Sequence, residues 1–320
     1  MEKIDLKDRK ILFQLTLDSR QSFRSLGKKI GLSKDIITSR VKKLQEKGII
    51  KSFYTAIDVY KIGYTIFRFY FTYQYANPEI KEEITEYFIK SKFANIIHTV
   101  EGTYDLVVFT LVTDLSEFYY FWDKSLTKYA GFFANQAFSI FFQEYYYGYT
   151  FLLDEKIDRK KAVLLTPGKR VEIDDFDSQI LDLIIHDSRI PTIEIAKKLN
   201  LTTATIKSRI KKMIELGVIQ GFRVDIDFSR LGYKWFKVDI NLTDHKKIPQ
   251  ILSYIESNRH LVALDRSLGY VNLELEFYFK TVDQLHEIMD DITRKFPNVI
   301  KSYNYFSVIK SNKIEITNLL

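Results

Sequence analysis

The chain consists of two copies of one unit. Shifting the 320-residue sequence by 169 positions aligns residues 4–64 with residues 173–233 without a gap, and 24 of the 61 pairs are identical. The tripeptide Asp18-Ser19-Arg20, for example, returns as Asp187-Ser188-Arg189. A repeat of this extent predicts a duplicated unit of roughly 150 residues, and therefore two structural copies in one chain.

The order of predicted elements is the same in both copies. Each copy begins with three helices and a β-rich stretch, and continues with the order βαββαβ of a ferredoxin-like split βαβ domain. The predicted fold class is therefore α+β, as a tandem duplication. The predicted segments are a helix-turn-helix at 1–64, a βαββαβ domain at 65–153, a charge-rich linker at 154–172, a second helix-turn-helix at 173–233 and a second βαββαβ domain at 234–320.

Composition excludes several classes of protein. The chain has no cysteine, which rules out disulfide scaffolds, thiolate metal sites and cysteine nucleophiles, and its five histidines are scattered. We expect no metal and no cofactor. The N-terminus is charged and no uncharged stretch is long enough to span a membrane, so we expect a soluble cytoplasmic protein.

Positive charge is concentrated in the first helix-turn-helix. Residues 1–64 contain 15 Lys and Arg against 7 Asp and Glu, whereas residues 161–233 contain 12 against 10. The whole chain has a net charge of +7. This distribution favours a polyanionic partner such as nucleic acid.

The first predicted segment has the helix order of a helix-turn-helix. Apolar residues at helical spacing predict a helix that begins after Asp5, a short helix over 23–30 that ends at Gly31, and a third helix that begins after Ser33. The β-rich residues 49–58 that follow predict a wing.

The polar face of the third helix in each copy predicts contacts with DNA. Short polar and basic side chains of this kind contact phosphates and base edges, although a solvated basic face has the same composition. The candidates in the first copy are Ser33, Lys34, Asp35, Thr38, Ser39, Arg40, Lys42 and Lys43. The candidates in the second copy are Thr202, Thr203, Thr205, Lys207, Ser208, Arg209, Lys211 and Lys212.

The residues around each third helix resemble the winged-helix segment of the Lrp/AsnC, or feast/famine, transcriptional regulators. The two stretches are LSKDIITSRVKKLQEKGIIKSFYTAID (32–58) and LTTATIKSRIKKMIELGVIQGFRVDID (201–227). The resemblance implies a sequence-specific regulator that binds double-stranded DNA with its recognition helices in the major groove. It also implies that the βαββαβ domains, called RAM domains in this family, mediate pairing and bind amino acids or related effectors.

A turn in the first βαββαβ domain resembles the effector-binding turn of that family. It reads Glu-Gly-Thr-Tyr-Asp-Leu, and the resemblance assigns effector binding to Gly102, Tyr104 and Asp105. The same residues also suit a tight hairpin between two strands. In the second copy the aspartate is replaced by Asn272.

The sequence predicts that the chain is not an enzyme. It contains no phosphate-binding glycine loop, no His-Glu-x-x-His and no Gly-x-Ser-x-Gly. Two alternatives stay open: an enzyme of the sirohaem decarboxylase type, which shares the Lrp/AsnC-like architecture, and an interaction protein that does not bind DNA. The chain is expected to be either an intramolecular pseudo-dimer or a homodimer.

Overall fold

The computed structural model describes residues 2–153, 162–166 and 168–315 of the chain. The first copy contains a three-helix segment, one strand and a βαββαβ domain. In chain order, its elements are α1 (Leu6–Leu17), α2 (Phe23–Ile30), α3 (Lys34–Glu46), β1 (Ile50–Ile57), β2 (Thr65–Tyr73), α4 (Pro78–Lys90), β3 (Ala94–Gly102), β4 (Leu106–Val112), α5 (Leu115–Tyr129) and β5 (Phe133–Tyr146).

The second copy repeats this order after one additional strand. Its elements are β6 (Ala162–Leu165), α6 (Asp175–His186), α7 (Thr192–Leu199), α8 (Thr203–Glu215), β7 (Ile219–Ile226), β8 (Lys234–Leu242), α9 (Ile248–Ile255), β9 (Leu261–Leu268), β10 (Leu273–Phe279), α10 (Val282–Lys295) and β11 (Ile300–Ile314). The predicted α+β tandem fold is confirmed. Within the described residues, none of these helices has the length and apolar character needed to cross a membrane.

Side-chain caps fix where the first helix of each copy begins. Asp5 accepts a hydrogen bond from the Asp8 N–H at 2.8 Å, and its counterpart Asp174 accepts one from the Asp177 N–H at 2.9 Å. These contacts satisfy backbone donors that the first helical turn leaves unpaired. Gly31 ends α2 with a φ of 74°, in the left-handed conformation that glycine adopts without strain.

The two βαββαβ domains close into a single antiparallel barrel. The strand order is β5-β2-β4-β3 in the first copy and β11-β8-β10-β9 in the second. One seam joins β3 to β11 and the other joins β5 to β9, so that eight strands form a ring. The last strand of each copy therefore extends the sheet of the other copy.

The segment predicted as the linker, 154–172, is partly structured. Residues 154–161 and 167 lie outside the described residues. The described part includes β6, which pairs with β5, and Val171, whose N–H donates to the Lys61 carbonyl at 2.7 Å. The linker is therefore fastened to the first copy, which its charge-rich composition does not reveal.

The strand predicted as a wing joins the two copies. β1 pairs with its counterpart β7 in an antiparallel two-stranded sheet. β1 also contacts α6, and β7 contacts α1, so each strand packs on the first helix of the other copy. The Thr55 hydroxyl of β1 donates to the Ile184 carbonyl of α6 at 2.5 Å. The strands are exchanged between the copies instead of forming two independent wings.

Each helix-turn-helix core contains apolar side chains from the other copy. The core of the first includes Val224 and Ile226 from β7, and the core of the second includes Ile57 and Val59 from the end of β1 and just beyond it. All four are at most 8% exposed. Burying a valine or isoleucine side chain stabilises a fold by about 1.5–3 kcal/mol. Neither helix-turn-helix therefore has a complete core without the other copy.

The repeated Asp-Ser-Arg tripeptides meet at the pseudo-two-fold axis that relates the copies. The hydroxyl groups of Ser19 and Ser188 are hydrogen-bonded at 2.7 Å. Arg20 donates to the Ser188 carbonyl at 2.5 Å, and Arg189 donates to the Ser19 carbonyl. Each contact recurs with the copies exchanged, as in an isologous dimer interface. The tripeptide is thus repeated because both copies use it for the same contact.

Replacing Arg20 with alanine is expected to lower the free energy of unfolding by about 1–3 kcal/mol, because the buried residues Ser188 and Ile190 lose the donor to their carbonyls. Urea denaturation followed by circular dichroism measures this. Arg24→Ala removes an exposed arginine from the neighbouring helix and serves as the control. Identical curves for Arg20→Ala and the parent would show that this contact does not join the copies.

Candidate nucleic-acid interface and barrel interior

The helix α3 turns an apolar stripe to the core and a polar face to solvent. Ile37, Val41 and Leu44 follow helical spacing and are buried. Ser33 caps the helix by accepting a hydrogen bond from the Ile36 N–H at 3.3 Å. The predicted DNA-contacting residues that are exposed on this helix and its cap are Ser33, Lys34, Asp35, Thr38, Ser39, Lys42 and Lys43.

The helix α8 has the same arrangement in the second copy. Ile206, Ile210 and Met213 form its buried stripe. Thr202 caps the helix by accepting from the Thr205 N–H at 3.1 Å, and Thr205 itself is half-buried. The exposed candidates here are Thr202, Thr203, Lys207, Ser208, Lys211 and Lys212.

Two predicted DNA-contacting arginines are held in ion pairs within the protein. Arg40 donates to Asp5 at 2.8 Å and to Asp8 at 2.7 Å, both at the start of α1. Arg209 makes the matching contacts, each at 2.8 Å, with the two aspartates at the start of α6. Hydrogen bonds to these carboxylates raise the pKa of both guanidinium groups. The arginines therefore fix the angle between the first and third helices.

A groove beside α3 extends the candidate interface beyond the predicted residues. Its volume is about 630 Å³, and its lining contains basic, acidic and apolar residues, namely Lys3, Ile4, Asp5, Asp8, Ile36, Ser39, Arg40 and Lys43. Lys3 belongs to the segment before α1, which packs along the side of the third helix. The sequence pattern did not identify Lys3, because its position depends on tertiary packing. The only signal in the sequence is the general excess of basic residues.

The three predicted effector-binding residues do not converge on one pocket. The Tyr104 side chain is buried and its hydroxyl is hydrogen-bonded to that of Tyr270. Asp105 instead accepts from the Tyr73 backbone N–H at 2.8 Å. A Cβ on Gly102 would lie 2.6 Å from the Tyr305 carbonyl oxygen, so this position requires glycine where β11 approaches β3. The geometry is that of a hairpin at the seam of the barrel.

The barrel interior contains a network of buried charged side chains, which the sequence pattern did not identify. Arg68 on β2 is fully buried and donates to Asp265 on β9 at 3.2 Å and to Glu274 on β10. It also donates to Ser139 at 3.2 Å, and its guanidinium lies 4.2 Å from the ring centroid of Phe141. An arginine of the first copy is thus neutralised by carboxylates of the second copy.

Lys237 on β8 occupies the position in the second copy that Arg68 occupies in the first. Its ammonium contacts Asp265, lies 3.3 Å from a carboxylate oxygen of Glu274 and lies 3.0 Å from one of Glu276. Arg68 and Lys237 therefore share Asp265 and Glu274. Breaking one partner of such a buried network leaves an uncompensated charge.

Burial raises the pKa values of these carboxylates, and the neighbouring cations lower them. Burial, reinforced by Glu274, raises the pKa of Asp239 to about 7. Burial also raises the pKa of Asp265 to about 7, although Lys237 opposes the shift. At Glu274 the two cations Arg68 and Lys237 overcome the effect of burial and hold the pKa at about 2. The two cations therefore favour the ionised form of Glu274, whereas burial favours the protonated forms of Asp239 and Asp265.

The described residues contain no cluster of histidine and carboxylate side chains that could hold a metal ion.

A family model described as winged helix-turn-helix DNA-binding matches residues 4–51 and, a second time, residues 173–220. Both matches cover the three helices of a copy, including α3 or α8 and the residues that follow.

Two curated regulators match one copy at a time. An uncharacterised HTH-type transcriptional regulator of Pyrococcus furiosus is 35% identical over 122 residues, which is 38% of this chain and 82% of that protein. The regulatory protein AsnC of Haemophilus influenzae is 30% identical over 118 residues, which is 37% of this chain and 79% of that protein. One relative therefore corresponds in length to one copy of the duplicated unit.

The fold of almost the whole chain is similar to that of the siroheme decarboxylase NirDL. Its crystal structure matches with a TM-score of 0.65 at 13% identity, covering 97% of this chain and 93% of that chain. The complex with an iron-uroporphyrin III analogue matches with a TM-score of 0.66 at 13% identity, covering 98% and 95%. This identity shows the fold alone. The match in fold corrects the prediction that the chain is not an enzyme, because an enzyme has the same tandem architecture.

Replacing Arg209 with alanine is expected to lower the free energy of unfolding by about 1–3 kcal/mol, because the buried carboxylate of Asp177 loses its charged donor. Urea denaturation is again the measurement. Lys211→Ala, which removes an exposed side chain two residues away, is the matched control and should unfold like the parent. Equal losses in the two variants would contradict a positioning role for Arg209.

The protein is expected to lose stability as the pH rises from 6.5 to 8.5. Asp239 and Asp265 have raised pKa values when folded, so their stabilising contribution is complete at low pH and is lost as the pH passes through about 7. Most of that loss falls between the ordinary carboxylate pKa of about 4 and the raised value, so about 1 kcal/mol for each carboxylate is lost between pH 6.5 and 8.5. Urea unfolding at both pH values measures it.

Asp239→Asn removes one of these ionisations and is expected to weaken the pH dependence, while the exposed Asp123→Asn should leave it unchanged. An equally steep dependence in Asp239→Asn and the parent would show that Asp239 is not its source.

Proposed function

Because the chain belongs to the Lrp/AsnC family of DNA-binding helix-turn-helix regulators, we propose that one chain recognises two unlike half-sites on double-stranded DNA. In this proposal α3 and α8 each enter a major groove. The observation that carries it is the pairing of two exposed polar helix faces across one pseudo-two-fold axis, through β1 and β7. In two-fold DNA-binding dimers such an axis places the recognition helices on successive turns of the same face of the duplex.

The two half-sites differ because the two helix faces differ. Lys42 and Lys43 recur as Lys211 and Lys212, whereas Lys34 is replaced by Thr203. The first helix-turn-helix carries most of the positive charge, so it supplies the larger share of the attraction to phosphates. The operator is therefore asymmetric, with the tighter half-site under α3.

Decarboxylation of a siroheme is the alternative that the whole-chain fold raises. An iron-uroporphyrin is a large polycarboxylate, and a site for it requires cations and open volume. At the centre of the barrel the buried carboxylates Asp265 and Glu274 face the buried cations Arg68 and Lys237. Asp239 and Glu276 add further carboxylates. These residues do not fit a polyanionic tetrapyrrole, because carboxylates outnumber cations among them.

An amino-acid-like effector stays a prediction outside this proposal. The Tyr104 hydroxyl and the Asp105 carboxylate are each hydrogen-bonded within the protein, and Gly102 lies against the Tyr305 carbonyl.

Two matched double variants test the DNA proposal by fluorescence anisotropy with a labelled duplex at two salt concentrations. Lys42→Ala/Lys43→Ala and Lys211→Ala/Lys212→Ala are each expected to weaken binding and to lower the salt slope by about one for every lysine–phosphate interaction that the substitution removes. Lys301→Ala/Lys310→Ala removes two exposed lysines from β11 on the barrel and should bind like the parent.

Equal effects of all three double variants would contradict the proposed interface. Absence of DNA binding at low salt, together with a shifted absorbance band when iron-uroporphyrin III is added, would replace the proposal with the enzymatic alternative.

A further inference from the structure

The contacts at the centre of the interface between the two helix-turn-helix segments do not distinguish one copy from the other, whereas the bond from Thr55 to the Ile184 carbonyl has no counterpart, because Val224 stands at the equivalent position. The Ser19–Ser188 hydrogen bond joins identical residues, and the arginine contacts on either side of it are reciprocal. The same holds for the backbone, since the Ser19 N–H donates to the Phe222 carbonyl and the Ser188 N–H donates to the Phe53 carbonyl, both at 3.0 Å. A first copy would make these contacts equally well with another first copy.

The inner faces of the two sheets differ at equivalent register positions. Arg68 lies opposite Phe109 in the first copy, and Lys237 lies opposite Glu276 in the second. The first copy's central face carries Arg68, Tyr70, His98, Val107 and Phe109. The second copy's central face carries Lys237, Asp239, Asp265, Glu274 and Glu276.

The first face therefore has an arginine and no carboxylate, whereas the second has a lysine and four carboxylates. Burial lowers the pKa of His98 to about 4, which keeps this side chain neutral. Glu144 on β5 lies opposite Asp265 at the seam between the copies, and burial raises the pKa of this carboxyl well above the usual range.

When unlike faces meet, both cations lie among the carboxylates of the second copy. Two first-copy faces would bury two arginines with no carboxylate from these positions, and two second-copy faces would bury an excess of carboxylates. In the observed pairing Arg68 reaches across the barrel to Asp265 and Glu274. An uncompensated buried charge is strongly destabilising, so the like pairings are excluded by repulsion and desolvation.

We propose that this buried charge difference is a pairing code, which makes the second copy's sheet the specific partner of the first copy's sheet and excludes pairing of like copies. Arg68 is its central residue in the first copy and Glu274 its central residue in the second. Cis pairing within one chain then prevails over exchange between chains, because the linker gives the two copies a high effective concentration.

The code is tested first within one full-length chain. Arg68→Glu and Glu274→Arg are each expected to lower the midpoint of thermal unfolding by about 10 °C. The double variant Arg68→Glu/Glu274→Arg restores opposite charges across the barrel, and should recover at least half of the summed loss. Arg266→Glu reverses an exposed charge on the outer side of β9 and should leave the midpoint unchanged.

Co-expression of two differently tagged full-length chains then separates a pairing code from simple stability. The Arg68→Glu chain and the Glu274→Arg chain are complementary only to each other, so each should co-purify with the other and not with a tagged copy of itself. Parent chains should not co-purify with one another. The proposal would be overturned if the midpoint loss of the double variant equalled the summed losses of the two single variants. It would also be overturned if parent chains co-purified with one another as much as the two complementary variants do.

Discussion

The reciprocal exchange of β1 and β7 is the interaction on which the rest of this structure depends. Each strand closes the hydrophobic core of the other copy's helix-turn-helix, with Val224 and Ile226 on one side and Ile57 on the other. Since neither core is complete alone, the exchange fixes the positions of α3 and α8 relative to each other. The barrel contains a second reciprocal exchange, because β5 and β11 each extend the sheet of the other copy. The one-copy relatives correspond in length to one half of this chain, whereas here a single chain contains both copies.

Elements governed by local sequence could be predicted, and contacts between the copies could not. The helices α3 and α8 follow from their apolar spacing and from their caps Ser33 and Thr202. By contrast, residues 49–58 have the same β-rich pattern whether they form a free wing or an exchanged strand. The ion pair of Arg40 with the start of α1 could not be predicted either. A basic residue on the polar face of a helix has the same local sequence pattern whether it pairs within the protein or contacts DNA.

The regions of the two copies differ in how closely they follow the pseudo-two-fold symmetry. The loop contacts around Ser19 and Ser188 are nearly symmetric, as expected of a duplicated dimer interface. The barrel interior and the helix surfaces have diverged. Within its own copy Lys237 contacts carboxylates, whereas the equivalent Arg68 contacts aromatic rings of its own copy. Duplication within one chain permits such divergence, because each copy needs to fit only one partner. The similarity to NirDL shows that this tandem fold is compatible with catalysis, so the residues, and not the fold, decide the function.

The most direct measurement is native mass spectrometry of the protein bound to a DNA duplex selected from a random library. If one chain is a complete pseudo-dimer, the complex should contain one 37.9 kDa chain for each duplex, and the selected sequence should hold two unlike half-sites about one helical turn apart. Two chains on one duplex, or a palindromic site with identical halves, would contradict a single-chain regulator with two different recognition helices.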